Sequence, residues 1–526
     1  MRMARFPLPL PIAIGLGLAL ALGAPLHAQM FRLEEATIDQ VHQAMAAGTL
    51  TCRQLVQGYL DRIAAYDGRG PRLNAIHTVN PRALQEADRL DAARRAGSPM
   101  PPLHCVPVLL KDQVETSDMP TTYGSALFTA FVPKRNATAV IRMKAAGAII
   151  LAKTNMGEFA LRYVDSGAGV IHNAYDPTRN PSGSSGGTGA GIAANFGLVG
   201  IGEDTGGSIR GPAAVHSLVG LRPTVPLVSR FGMLPVNPST DTMGPLARTV
   251  RDAAILLGVL VGYDPADPVT AWSVGHVPDS YVAGLAADGL RGVRLGVLRE
   301  PMDRRVDTTS AGFREVRAQI ERALGQLRAQ GAEIVDVSIP GLDRVGALYS
   351  SNVYETEAAT DAYLKEHPDA PYKTLRAMLL SGKMNSWRAV AFASALGHTT
   401  RDPGYLDYVN AREQLRTTVL QAMADRRLDA IVYATFDFPP TPIAADVETN
   451  PAPKDDYGFG DNRTLSPVLG FPALTVPAGF TSEGLPVGLE LLGRPFTEAD
   501  LLRWAYAFEQ ATHHRKPPAT TPPLGR

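Results

Sequence analysis

Three short segments set hydroxyls and an amine among glycines. "GEDTGGSIRG" (202–211) puts Ser208 directly after Gly206 and Gly207, "NPSGSSGGTGAG" (180–191) holds Ser184 and Ser185, and "VPVLLKD" (106–112) ends an apolar run on Lys111. Gly-Gly-Ser is ordinary turn chemistry, but it also leaves backbone N–H groups bare beside a nucleophilic hydroxyl. Acyl transfer needs that combination: a nucleophile, a proton acceptor, and donors for a tetrahedral oxyanion. The nearest histidine to Ser208 is His216, so a lysine is the alternative base. A lysine accepts protons near neutrality only if burial lowers its pKa from about 10.4 to about 7.5, which disfavours the ammonium by about 4 kcal/mol. The apolar residues before Lys111 offer such burial. On residue types alone, Lys153 in "LAKTN" competes for this role, and Lys111 could instead pair with its neighbour Asp112.

Two motif matches are decoys. Gly183 to Gly187 fits G-x-S-x-G, but that elbow needs a buried strand just before it, and "NAYDPTRNPS" reads as loop. Gly189-x-Gly191-x-x-Ala194 fits a loose dinucleotide fingerprint and lacks the same strand.

The elements that must position these residues alternate between strand and helix. "VPVLLK" and "AIILAKT" read as strands separated by the helical "ATAVIRMKAAGA". "GVRLGVL" (292–298), a helix with Phe313, Val316, Ile320, Leu324 and Leu327 on one stripe, and "AEIVDVSI" form a second such unit. "DAIVYAT" and "PVGLELLG" read as further strands, and "EADLLRWAYAFEQATHHR" as a closing helix. Near the start, Thr37 with Gln40 and Thr51 with Gln54 have capping-box spacing ahead of helical apolar periods. The pattern predicts an α/β fold: one large domain with a central mixed, mainly parallel sheet flanked by helices. Residues 341–425 read as a helical insertion or cap.

The 526 residues are 45% hydrophobic, with 51 basic and 51 acidic side chains. That balance points to no nucleic-acid partner. No HExxH, EF-hand or phosphate-loop pattern occurs, and neither a metal nor a cofactor is expected. Residues 1–28 read as a signal peptide: Arg2 and Arg5, then an apolar run, then Leu26-His27-Ala28. Export to the periplasm or medium is therefore expected. A membrane anchor is the minor alternative, since Pro7, Pro9 and Pro11 shorten the apolar stretch below the roughly 20 residues of a span. Cys52 and Cys105 are the only cysteines, and either pairing or separate burial suits them.

Taken together, the three segments resemble the amidase signature family of Ser-Ser-Lys amide hydrolases. "AKTNMGEFA", "DTMGPLART", "GFPALTVPAG" and "GLPVGLELLG" follow in the family's order, and the resemblance spans roughly residues 35 to 515. It implies Ser208 as nucleophile, Ser184 after a cis peptide bond as proton shuttle, and Lys111 as base, with Lys153 in support. Backbone N–H groups of Thr205, Gly206, Gly207 and Ser208 are the implied oxyanion donors, with Ser185, Asp204 and Arg210 supporting. Two residues depart from the family pattern: Glu203, where a small or hydroxyl residue is usual, and Ser182, where glycine is common. Glu203 is expected to pair with Arg210. The implied substrate is a small-molecule or peptide amide, the layout being closest to exported bacterial peptide amidases. Aryl-acylamide, carbamate and oligoamide hydrolysis are the alternatives. No obligatory protein partner is expected, and the chain would act as a monomer or homodimer.

Overall fold

The computed structural model describes residues 31–525 together with Met1, Met3 and Pro7. The proposed signal peptide otherwise lies outside the described residues. From Arg32 onward the chain forms one compact unit. Its strands are β1 (Ile76–Val79), β2 (Pro107–Lys111), β3 (Ile149–Thr154), β4 (Val164–Asp165), β5 (Gly169–Val170), β6 (Val199–Asp204) and β7 (Val219–Arg222). They continue with β8 (Thr242–Ala247), β9 (Arg294–Val297), β10 (Glu333–Asp336), β11 (Ala430–Ala434), β12 (Ala473–Phe480) and β13 (Pro486–Leu492). Eleven of these form one sheet in the order β1-β3-β2-β6-β8-β7-β12-β13-β11-β9-β10, and β4 and β5 pair separately.

The sheet is mixed and flanked by helices, as expected. Its parallel blocks are β3-β2-β6 and β11-β9-β10. Each contains one of the strand–helix–strand units visible in the sequence, since a crossover helix returns the chain in the same direction. Between them, the β6-β8-β7-β12-β13-β11 ladder is antiparallel. β2, β3, β6 and β8 are buried along their whole length, and in β2 and β3 this shows as a continuous apolar run rather than alternation.

Both N-terminal capping boxes form: Thr37 with Gln40 and Thr51 with Gln54 start the helices Ile38–Ala46 and Cys52–Tyr66. Cys52 and Cys105 are joined by a disulfide, tying the second of these helices to the turn before β2. Residues 342–425 contain helices and turns and no strand. In this segment the helix Val345–Ser350 brings Tyr349 against Gly206, where an added Cβ would collide with its hydroxyl. Among the described residues no helix is long and apolar enough to cross a membrane.

Candidate active site

The parallel neighbours β2 and β6 end side by side, with Lys111 the last residue of one and Asp204 the last of the other. Open α/β sheets carry their sites at such carboxyl ends. Between these strands in sequence, the loop 180–185 leads into the helix Gly186–Ala193, every residue of which is buried. Ser185 sits at the N-cap position of that helix, and its Oγ lies 3.2 Å from Glu203 O and 3.3 Å from Glu203 N. Ser185 therefore fastens the loop to β6. No strand immediately precedes the loop, so the nucleophile-elbow pattern has no structural counterpart.

Ser184 follows a cis peptide bond from Gly183, as the resemblance implied. Glycine is required at 183 because a Cβ would overlap the Arg162 carbonyl oxygen. The side chains of Ser184 and Lys111 are fully buried, and Lys111 Nζ donates to Ser184 Oγ at 2.7 Å. Burial pushes the Lys111 ammonium below its ordinary pKa, against the pull of Glu203. Lys153 is equally buried, but it bonds to Asp112 O at 3.1 Å and Thr121 Oγ1 at 2.9 Å and pairs with Asp112 Oδ1 at 3.1 Å. The geometry separates the two lysines: only Lys111 reaches a serine of the Gly-rich loops.

Ser208 is half-buried in the turn after β6, and its carbonyl accepts from Ser185 N–H at 3.3 Å. Asp204 shapes this turn by accepting from Gly207 N–H at 2.7 Å and Ile209 N–H at 3.1 Å. That corrects one expectation. The Gly207 N–H, at a residue with φ +123°, is turned onto Asp204 and is not free for an oxyanion, which leaves Thr205, Gly206 and Ser208 as candidate donors.

The expected Glu203–Arg210 pair is not formed. Successive strand residues point to opposite faces. Asp204 takes Arg210 on its side, at 3.2 Å, while Glu203 Oε2 accepts from Lys111 Nζ at 2.8 Å. Arg210 also pairs with Glu490 on β13 and donates to Arg463 O at 2.8 Å. Arg222 joins the cluster at 3.2 Å from Asp204 Oδ1. Burial alone would raise the Asp204 carboxyl, but the two guanidinium groups hold it well below the usual range.

Three contributors escape the sequence reading because each comes from a distant segment. Arg463 donates to Gly207 O at 3.1 Å, to Gly183 O at 3.3 Å and to Ser182 Oγ at 3.2 Å, so one guanidinium bridges both serine loops. Ser182 adopts φ +56°, which accounts for glycine being common there, and its hydroxyl provides one of these acceptors. Glu490 anchors Arg210, and Asp241 accepts from Thr205 Oγ1 at 2.8 Å. His216 is no rival base: it is fully buried, with Nδ1 2.8 Å from Pro212 O and Nε2 accepting from Ala174 N–H. Burial lowers its pKa to about 4.

Comparison with known proteins extends this local picture to nearly the whole chain. The solved peptide amidase PAM, crystallised with the competitive inhibitor chymostatin, superposes with a TM-score of 0.84 at 37% identity, covering 93% of this chain and 100% of that one. The native peptide amidase from Stenotrophomonas maltophilia gives 0.83 at 36%, over 93% and 99%. Among curated sequences, the A-type subunit of the glutamyl-tRNA(Gln) amidotransferase from Symbiobacterium thermophilum is 35% identical over 502 residues, 93% of this chain and 99% of its own. The Amidase family model matches residues 54–502, a span that contains every residue of the site described above. With sequence, fold and the buried Lys-Ser geometry in agreement, the chain belongs to the amidase family and is an amide-hydrolysing enzyme.

Proposed function

We propose that this enzyme cleaves linear amide C–N bonds through an acyl-enzyme on Ser208, with Ser184 as proton shuttle and Lys111 as base, and that its substrates are peptide C-terminal amides. The observation that carries the mechanism is the 2.7 Å contact between the buried Lys111 Nζ and Ser184 Oγ, beside the turn that bears Ser208. In this reading Ser208 gives its proton to Ser184 as it attacks the carbonyl, and Ser184 passes its own to Lys111. Thr205, Gly206 and Ser208 N–H groups receive the oxyanion, a role worth about 3 kcal/mol per donor. The proton then returns to the leaving nitrogen, and water resolves the acyl-enzyme.

The peptide-amide assignment is supported by the two peptide amidases that align over 93% of the chain. In this proposal residues 341–425 form a cap over the substrate pocket, consistent with Tyr349 lying against Gly206. Export is part of the same proposal, supported by the basic and apolar N-terminus and by pairing of the only two cysteines. A second reading, action as one component of a larger amidotransferase, is favoured by the curated relative at 35% identity. Ammonia release by the purified chain alone, from peptide amides, anilides, carbamates and free glutamine, tests both readings. Rapid turnover of peptide amides is expected. Turnover confined to glutamine, or only with added partner proteins, would overturn the peptide-amidase reading.

A further inference from the structure

Lys111 has three oxygen neighbours at Nζ, one for each ammonium proton: Ser184 Oγ at 2.7 Å, Glu203 Oε2 at 2.8 Å and Glu203 O at 3.2 Å. An ammonium with all three protons engaged has no lone pair for the Ser184 hydroxyl. Glu203 is fully buried and has a second neighbour, since its Oε1 lies 2.5 Å from Thr205 Oγ1. Thr205 Oγ1 is also 2.8 Å from Asp241 Oδ1. One hydroxyl proton cannot be donated to two carboxylates at once, and an ionised carboxylate only accepts. One of the two carboxyls must therefore carry a proton. Burial and the Glu203 charge push the Asp241 carboxyl up to about 7, in keeping with this.

We propose that Glu203 is a positioning residue that stores the Lys111 proton and so delivers the lysine as a free amine to Ser184. This rests on the Lys111–Ser184–Ser208 reading above. In the step, one Nζ–H bond breaks and one Oε2–H bond forms. The ammonium–carboxylate pair becomes an amine–carboxylic acid pair, and the net charge of the pair is unchanged. Turning about the Cε–Nζ bond then presents the amine lone pair to the Ser184 hydroxyl. Burial narrows the gap between the resting ion pair and the neutral pair, because burying two charges costs several kcal/mol per ion before their attraction is counted. The lysine thus becomes a base without releasing its proton to solvent.

The charged and titratable groups that act on Glu203 come from every element around it. They are Lys111 from β2, Asp204 and Thr205 beside it, Asp241 from the turn before β8, Arg222 from β7, Tyr349 from the helix Val345–Ser350, and Arg388 from the helix Ser386–Ala393. In the wild type, the acid limb of the rate profile marks entry of a second proton into a pair that already shares one. In Glu203→Gln it marks protonation of a lone buried lysine, which takes up its proton at higher pH.

The test is the pH profile of kcat/KM for ammonia release from a peptide amide, measured for wild type, Glu203→Gln and Glu203→Ser. The expected result is an acid limb displaced upward by a pH unit or more in both variants, with a tenfold or greater loss at pH 6. An unmoved limb would reduce Glu203 to packing, and a downward shift would mean it only holds the lysine charged; either overturns the proposal. Full activity in Lys111→Ala would instead overturn the underlying base assignment, an outcome separate from either of these.

Discussion

Asp204 and Arg210, six residues apart and both fully buried, close the turn that carries Ser208, with Arg210 Nε 3.2 Å from Asp204 Oδ2. The same carboxylate holds Gly207 N–H and Ile209 N–H, so the turn is built around one acidic side chain. Asp204→Ala strands Arg210 and Arg222 without their shared partner. Removing one member of a buried pair costs about 3–5 kcal/mol. Denaturant unfolding should show a loss of that size, accompanied by a fall in kcat. A stable, active Asp204→Ala protein would show that the turn holds itself.

Ser208→Ala should remove turnover by about four orders of magnitude or more while leaving the circular dichroism spectrum and unfolding midpoint in place. Ser184→Ala and Lys111→Ala should fall nearly as far, and combining them should cost little more, because the three act as a unit. Intact-mass measurement during turnover of a slow ester substrate should reveal an acyl adduct in wild type and none in Ser208→Ala. An adduct that persists in Ser208→Ala would move the nucleophile elsewhere.

The Cys52–Cys105 bond closes a loop of 53 residues. Chain-entropy reasoning gives such a cross-link up to about 4 kcal/mol, with about 2 kcal/mol as the low end of typical values. The double variant Cys52→Ser/Cys105→Ser should unfold at correspondingly lower denaturant with its activity retained, since Cys105 precedes β2 whereas Lys111 ends it. Equal stability of the two proteins would mean that the bond does not form in solution.

Stability should also depend on pH in a definite direction. Burial raises Asp67 and Asp252 to about 6 and Glu509 to about 7. A group whose folded pKa is raised contributes stability that is fully present below the unfolded value and is lost as pH rises through the folded one. These three therefore erode stability between about pH 4 and 7. Glu35 works the other way. Burial would raise it, but Arg515 and Arg248 bring it down to about 2, so its contribution is present above about pH 4.5 and lost toward pH 2. The melting temperature should peak between about pH 4 and 5 and decline toward pH 8. A rise from pH 5 to 8 would contradict this.

The parts of the site legible in the sequence are those that local patterning encodes. The two strand–helix–strand units yield the parallel blocks, because a crossover helix leaves a 3.6-residue period between two apolar runs. Part of the antiparallel centre is not legible as strands: β6, β7 and β8 are short, interrupted by Gly and in β8 also by Pro, and buried along their length, so they show no alternation. Lys111 and Lys153 are indistinguishable as residues in apolar strands. What separates them is which loop each strand end meets, a property of tertiary structure. Glu203 stands out in the sequence only as a departure from the family pattern. Its true partner lies 92 positions away, whereas the nearby Arg210 belongs to the other face of β6.

The bridging of Gly183 and Gly207 by Arg463, and of Arg210 by Glu490, also bears on the order in which the enzyme becomes competent. All three proposed catalytic side chains lie within the first 208 residues, yet the guanidinium and carboxylate that fasten their loops arrive only with the last quarter of the polypeptide. The β7–β12 pairing that brings this late segment into place joins residues some 250 positions apart. Contacts of such range form late in folding. A nascent or truncated chain can thus contain every reacting group and still be inert, and the closing of the C-terminal strands onto the sheet acts as the step that arms the hydrolase.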